Sequence, residues 1–389
     1  MNILMLTSEF APATGGIGTY AGEIASAATR LGARITVVAP DYAQATAERD
    51  TSLPFEVVRF PGGLHSMRDL PAKIMLARSK VRGGHYDVVH AADWPFFIPL
   101  ALSRWRTQAR VVMTVHGTEI NETQTTLKRL AIRGTGVFGP RTQVVANSHY
   151  TQRLFREKFP IDAQRVNAVR LGVSDFWFGH RRPRAAVRDM YRLSPDRLVI
   201  VTVARLTHRK GHHLTLAALS ALPDGLRKRV TWLVIGPDGE AGHVAALRRM
   251  VEASDVDIRL LGALPNEQIR DIYGASDIFC LTGLPESSGR VEGFGLVYLE
   301  AAAGGLPSVA TAVGGVPDAV LAGETGILTL PDAESISRAV ADLALDRDRR
   351  AILAAGASVH ARNLSWERCA AATYGLTCVS DRAPRMSAA

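Results

Sequence analysis

The chain has 389 residues, 47% hydrophobic and 21% charged, the composition of a soluble globular protein long enough for two domains with full cores. Its net charge is +9, and residues 1–180 hold 21 Lys and Arg against 14 Asp and Glu; this suits an anionic membrane surface or an acidic substrate, or simply solvated faces, and without aromatic-interleaved basic stretches no nucleic acid is expected. No apolar run reaches the roughly 18 residues of a spanning helix, no signal segment precedes Ile3, and Cys280, Cys369 and Cys378 are too scattered for a disulfide framework or a zinc site, so the expectation is a cytoplasmic protein.

Residues 3–10 form a short apolar run of strand length. The turn Thr14-Gly15-Gly16-Ile17-Gly18 follows, then a helix from Thr19 to Leu31 with Gly32 just past its end. Strand, glycine loop and helix open a doubly wound α/β domain, although the glycine spacing does not match the dinucleotide fingerprint GxGxxG. The alternation continues with strands at 34–39, 87–92, 111–115 and 143–147 and a helix over 69–82. Asp93-Trp94-Pro95 and His116-Gly117-Thr118-Glu119 fall at carboxyl ends of strands, where open α/β sheets bind ligands. Ser148 is placed to cap the next helix.

The pattern lapses over 176–183 and then begins again. A strand at 198–204 ends in Arg205-Leu-Thr-His-Arg-Lys210-Gly211, and a helix starts at His212. Strands at 231–235, 258–261, 277–281 and 307–311 alternate with helices near 243–253, 266–273, 333–345 and 347–361. Ser365-Trp366-Glu367 starts a last helix, and the tail at 381–389 reads as frayed.

The stretch that organises the second half is Arg290-Val-Glu-Gly-Phe-Gly-Leu-Val-Tyr-Leu-Glu300. Gly293 and Gly295 let backbone approach a ligand closely, and the first amides of the helix that follows lack partners within it. Such a helix start is an anion site suited to a diphosphate. Glu292 in the loop and Glu300 two turns into the helix can face one ligand from different heights.

Arg205-x4-Lys210, Glu292-x7-Glu300, Gly15-Gly16, His116-Gly117 and Ser365-Trp366-Glu367 occur in one order along the chain. Together they resemble the retaining, nucleotide-sugar-dependent glycosyltransferases of family 4, which have the GT-B architecture. The resemblance implies two Rossmann-like α/β domains facing each other across a cleft: an acceptor-side domain at 1–178, a donor-side domain at 190–364, and a helix at 365–380 returning to the first domain. It implies that Arg205 and Lys210 clamp the donor diphosphate with no metal, that Glu300 holds the ribose hydroxyls and that Glu292 holds those of the donor sugar. Gly293, Phe294, Gly295 and Leu296 would meet the donor through backbone amides, Gly15 and Gly16 would lie against the diphosphate, and His116 would face the sugar. No cofactor is implied; the donor is a GDP- or UDP-hexose, and the acceptor is a glycan, a lipid-linked glycan or a small molecule.

The chain has Leu171-Gly172-Val173 where the family often has Asn-Gly-Val, and its loop Pro285-Glu-Ser-Ser-Gly-Arg290 is long, as in some lipid-linked mannosyltransferases. That form favours GDP-mannose over a UDP-hexose. Competing readings are a nucleotide-sugar 2-epimerase and a non-catalytic nucleotide-sugar-binding protein; the latter fits poorly with the retention of Arg205, Lys210 and Glu292. Lys73, Arg78, Lys80, Arg82, Arg104, Arg106, Arg110, Lys128, Arg129 and Arg133 supply cations for peripheral attachment to the inner face of the cytoplasmic membrane.

Overall fold

The computed structural model describes residues 1–13, 15–42, 46–62, 69–117, 120, 126–159, 161–286 and 288–378, with backbone alone at 47 and 126–129. Thr14, Thr118, Glu119, Ser287, the tail at 381–389 and the side chains of Lys128 and Arg129 lie outside the described residues. The chain divides into two compact units: residues 1–172 together with the segment from Ser365, and Val173–Leu364.

Unit 1 runs β1 (Asn2–Leu6), α1 (Gly16–Arg30), β2 (Arg34–Pro40), α2 (Ala47–Thr51), β3 (Glu56–Phe60), α3 (Leu70–Gly83), β4 (Val88–Ala91), α4 (Phe97–Ala101), β5 (Arg110–Val115), α5 (Thr126–Thr135), β6 (Thr142–Ala146), α6 (His149–Lys158) and β7 (Val166–Ala168). Its sheet is parallel in the order β3-β2-β1-β4-β5-β6-β7. Helices on both faces explain why the inner strands are unbroken apolar runs rather than alternating ones. Leu4, Leu6, Val89, Met113, Phe96, Phe97 and Phe155 fill the core. Ser148 caps α6, its hydroxyl accepting from the Thr151 amide at 3.0 Å.

Unit 2 runs α7 (Arg184–Met190), β8 (Leu198–Val203), α8 (His212–Ser220), α9 (Asp224–Arg227), β9 (Val230–Ile235), α10 (Ala241–Glu252), β10 (Asp257–Gly262), α11 (Asn266–Ala275), β11 (Ile278–Leu281), α12 (Leu296–Ala303), β12 (Ser308–Thr311), α13 (Val316–Ala319), β13 (Gly326–Thr329), α14 (Ala333–Leu345) and α15 (Arg347–Asn363). The sheet order is β10-β9-β8-β11-β12-β13, all parallel. In both sheets the order reverses after the first strand, at β1/β4 and at β8/β11. The carboxyl ends at such a reversal form the crevice where doubly wound sheets hold ligands. Trp232 is fully buried in the unit 2 core, its indole N–H donating to the Thr202 hydroxyl at 2.9 Å.

Residues 173–178, expected with the first domain, belong to unit 2. The Val173 amide donates to the Leu364 carbonyl at 2.8 Å, and the Trp177 ring lies 5.8 Å from that of Tyr273. Residues 179–183, expected as linker, are tied down as well, Arg181 donating to the Ala303 carbonyl at 2.6 Å.

The last helix, α16 (Trp366–Tyr374), packs on α1 within unit 1. A Cβ on Gly172 would meet the Trp366 nitrogen at 2.3 Å, so the close approach there needs a glycine. Arg30 on α1 pairs with Glu367 at 2.6 Å. Deeper in, the Tyr374 hydroxyl meets His90 Nδ1 at 2.9 Å, His90 Nε2 meets the Thr114 hydroxyl at 2.8 Å, and Thr114 meets the Tyr20 hydroxyl at 2.9 Å. This chain satisfies four buried polar groups at once. Burial pushes the pKa of His90 down to about 3, so the ring is neutral.

Candidate active site

At the β8/β11 reversal the residues after β8 and those after β11 are locked together. Gly211 has φ +71°, and a Cβ there would stand 1.8 Å from the Thr282 carbonyl oxygen. Only glycine allows both the left-handed backbone and this approach. The Thr282 hydroxyl donates to the Gly211 carbonyl at 2.8 Å, and the Leu284 amide donates to the Arg209 carbonyl at 2.8 Å. A single 3-10 turn, His208–Lys210, is thereby held against the loop that carries Glu292.

On that frame Lys210 Nζ lies 2.5 Å from Glu292 Oε2, and Arg209 lies 3.5 Å from the same oxygen. Burial pushes the Glu292 carboxyl up, but the two cations outweigh it and hold the pKa below its ordinary value. Glu292 is fixed from behind as well: the Gly315 amide donates to its carbonyl at 2.8 Å, and a Cβ on Gly314 would clash with that oxygen at 2.2 Å. Gly314-Gly315 therefore acts as a brace for the Glu292 loop.

Gly293, Phe294 and Gly295 are buried, and Gly295 caps α12 with φ +92°. A Cβ on Gly295 would meet the Tyr298 ring at 2.6 Å, while the Tyr298 hydroxyl donates to the Leu281 carbonyl at 2.9 Å and fastens α12 to β11. The first amides of α12, from Leu296 on, lie beyond the reach of its own carbonyls and carry the positive end of its dipole. Glu300 is half-buried on the same helix, close enough for its charge to add to the burial that raises the pKa of Tyr273. Arg205 is exposed and forms no ion pair among the described residues. Lys210 and Glu292 are thus brought together.

In unit 1, Gly15 is the N-cap of α1 and Gly16 its first residue. A Cβ at Gly15 would approach Glu9 Oε2 to 2.9 Å, whereas one at Gly16 would meet nothing within 4 Å. The helix thus begins three residues before the Thr19 expected from the sequence. His116 follows β5, with Nε2 2.9 Å from the Ala92 carbonyl, so Nε2 carries the proton and donates. Its ring stands 5.0 Å from that of Tyr20, edge to face, and the Asn147 amide donates to its carbonyl at 3.2 Å.

Several neighbours of these residues give no sequence signal. Arg209 sits between Arg205 and Lys210 and could be read as a solvated neighbour; it pairs with Glu286 at 3.7 Å as well as with Glu292. His208, His212, His213 and His243 gather beside the Lys210 turn, with the His208 and His213 rings stacked at 4.6 Å. Burial, then the His243, Lys210 and His213 charges, push His212 down to about 3. Among the described residues, no three His, Cys, Asp or Glu side chains are grouped to hold a metal ion.

Known proteins resemble this chain over nearly its whole length. Residues 14–175 match the model of Glycosyltransferase Family 4, and residues 184–359 that of Glycosyl transferases group 1. A GDP-mannose-dependent alpha-(1-6)-phosphatidylinositol monomannoside mannosyltransferase of Mycolicibacterium smegmatis is 31% identical over 363 residues, covering 90% of this chain and 91% of the relative. A D-inositol 3-phosphate glycosyltransferase of Actinosynnema mirum is 30% identical over 401 residues, covering 91% and 89%. In fold, Anabaena HepE in complex with UDP and glucose superposes with a TM-score of 0.75 at 21% identity, over 95% of this chain and 97% of that one. The chain belongs to glycosyltransferase family 4 and is a glycosyltransferase of GT-B fold.

Proposed function

We propose that the protein moves a hexose, with retention, from a nucleoside-diphosphate hexose to a membrane-linked acceptor, and that the donor is GDP-mannose. The observation that carries this reading is the Lys210–Glu292 pair beside the start of α12, at the β8/β11 reversal. The diphosphate sits on the first amides of α12, and Lys210 and Arg205 meet the charge that develops as the sugar–phosphate bond breaks. Glu300 takes the ribose hydroxyls. Once Lys210 turns to phosphate, Glu292 is left to accept hydrogen bonds from the sugar. Gly16 and Gly15 face the diphosphate, and His116 faces the sugar. The acceptor hydroxyl attacks on the face the phosphate leaves, and the phosphate takes its proton. Positioning and charge stabilisation then supply the catalysis. The mannosyl donor is supported by the names of the relatives and by the long 285–290 loop.

The membrane side of this reading rests on unit 1. Met75 on α3, Trp105 in the neighbouring 104–106 turn and Leu130 on α5 are exposed by 71%, 60% and 61%. Arg78, Arg82, Arg106 and Arg133 are exposed on the same elements, with Arg106 stacked over Trp105 at 3.5 Å. A tryptophan, apolar tips and arginines exposed on these elements suit an anionic interface. Two of the expected cations do not contribute: Lys73 is buried, and Arg110 is occupied by Gln143 and by the Tyr374 carbonyl. Among the described residues no helix is long and apolar enough to cross a membrane. The test is nucleotide release from a panel of GDP- and UDP-hexoses, with and without anionic liposomes carrying phosphatidylinositol. Release of GDP from GDP-mannose, stimulated by the liposomes, is expected; release from a UDP-hexose alone would assign another donor.

A further inference from the structure

The β1/β4 reversal of unit 1 is bridged by one side chain. Asp93 is the second residue past β4 and Ser8 the second past β1. The Ser8 amide donates to Asp93 Oδ2 at 2.7 Å and the Ser8 hydroxyl donates to the same oxygen at 2.5 Å. Asp93 is 1% exposed, and its other carboxylate oxygen, Oδ1, is buried with no hydrogen-bond partner among the described residues. Beyond Ser8 the chain runs to Gly15 and Gly16. Along the way the Tyr42 hydroxyl donates to the Ser8 carbonyl at 3.2 Å, and Arg59 donates to the Ala11 carbonyl at 2.8 Å. Those two ties come from the β2–β3 side; Asp93 is the tie that reaches across from β4.

Building on the reading that Gly16 meets the donor diphosphate, we propose that Asp93 is a positioning residue. Through Ser8, and only as a carboxylate, it holds the β1–α1 loop in the shape that presents Gly15 and Gly16 to the donor. An ionised oxygen takes two donors much more strongly than a neutral acid does. A proton would settle on Oδ1, which no donor among the described residues faces, and would leave Oδ2 a weak neutral acceptor. The groups around the carboxylate are mixed in charge: Lys73 on α3, His116 after β5, Glu9 in the loop itself and Tyr42 after β2. Burial outweighs the two Ser8 hydrogen bonds and the His116 charge, and pushes the carboxyl up to about 6. The tie therefore loosens just below neutral pH.

The test measures nucleotide-sugar affinity by calorimetry between pH 5 and 8. GDP-mannose and UDP-glucose are the probes, because a diphosphate diester does not itself titrate in that range. For the wild type, affinity should fall as pH drops through about 6. Asp93→Asn should bind on the order of tenfold more weakly at pH 7.5, the loss of charge-assisted acceptance, and should show no such midpoint. Ser8→Ala removes one of the two hydrogen bonds that favour the carboxylate and keeps the amide one, so binding at pH 8 should weaken less than in Asp93→Asn while the midpoint moves upward. A residue that merely supported the fold would not move that midpoint. Gly16→Leu separates this proposal from the reading beneath it, since the added side chain begins in open space. If Gly16→Leu abolishes binding but Ser8→Ala leaves the midpoint in place, Asp93 is not the tie. If Gly16→Leu binds as the wild type does, the donor does not lie on this loop, and both fail.

Discussion

Lys210 and Glu292, 82 residues apart in sequence, meet at 2.5 Å because Gly211 lets the turn after β8 lie directly on the end of β11. The carboxylate thus holds the ammonium in one place before any donor binds, and in the proposed function the ammonium turns from it to the phosphate.

Removing that cation should abolish most turnover and leave the fold intact. Lys210→Ala and Arg205→Ala should each lower kcat by about 2–4 kcal/mol of transition-state stabilisation, as for other preorganised charge stabilisers. Arg209→Ala should cost less, since Arg209 stands farther from Glu292. Steady-state kinetics with matched circular dichroism checks the order; near-normal rates in Lys210→Ala would remove it from the site.

Gly211→Ala tests the frame rather than the charge. The left-handed backbone alone costs an alanine about 1–2 kcal/mol, and the clash with the Thr282 carbonyl adds to it. Thermal denaturation should show unit 2 destabilised and donor binding lost with it. A variant that melts and binds like the wild type would contradict the close approach.

Activity should survive EDTA, because in the proposed function Lys210 and Arg205 meet the developing diphosphate charge. Loss of activity on chelation, restored by Mn²⁺ or Mg²⁺, would overturn this.

Much of the architecture is legible in the chain because strands buried on both faces must be continuous apolar runs. The edge strands β3, β7 and β13 escape that reading: Glu56-Val-Val-Arg-Phe60, Val166-Asn-Ala168 and Gly326-Ile-Leu-Thr329 are short or carry polar residues. Candidate site residues are visible where glycine and charge recur at fixed spacing, as in Glu292-x7-Glu300. The partnerships among them are not, since Lys210–Glu292, Gly211–Thr282 and Asp93–Ser8 are made by tertiary folding across tens of residues. Lys73 shows the converse: its helical spacing suggests a surface cation, yet it lies under Phe96, with its ammonium 5.9 Å from that ring.

The two units should respond differently to acid. His212 in unit 2 and His90 in unit 1 have pKa values of about 3 in the folded chain and about 6.5 unfolded, so between those values the unfolded state binds the extra proton and stability falls as pH falls. Each contributes roughly 1.4 kcal/mol per pH unit. Asp93 in unit 1 has the opposite sign: its folded pKa of about 6 exceeds the unfolded value, so between about pH 6 and 4 the folded state takes up the proton and gains stability. His90 and Asp93 largely offset each other in unit 1 between about pH 6 and 4.5, whereas in unit 2 the lowered pKa values of His213 and His243 add to the loss. Hydrogen exchange with mass spectrometry at pH 6.5 and 4.5 should show unit 2 losing protection first; equal losses would contradict the assignment.

Retaining hexosyl transfer from a nucleoside diphosphate can be followed as radiolabelled mannose passing from GDP-mannose into lipid extract, with purified protein and with Lys210→Ala. The wild type should form a labelled glycolipid, absent with the variant and cleaved by an α-mannosidase because the α configuration of the donor is kept. A product resistant to α-mannosidase and cleaved by a β-mannosidase, or equal labelling by the Lys210→Ala protein, would contradict it.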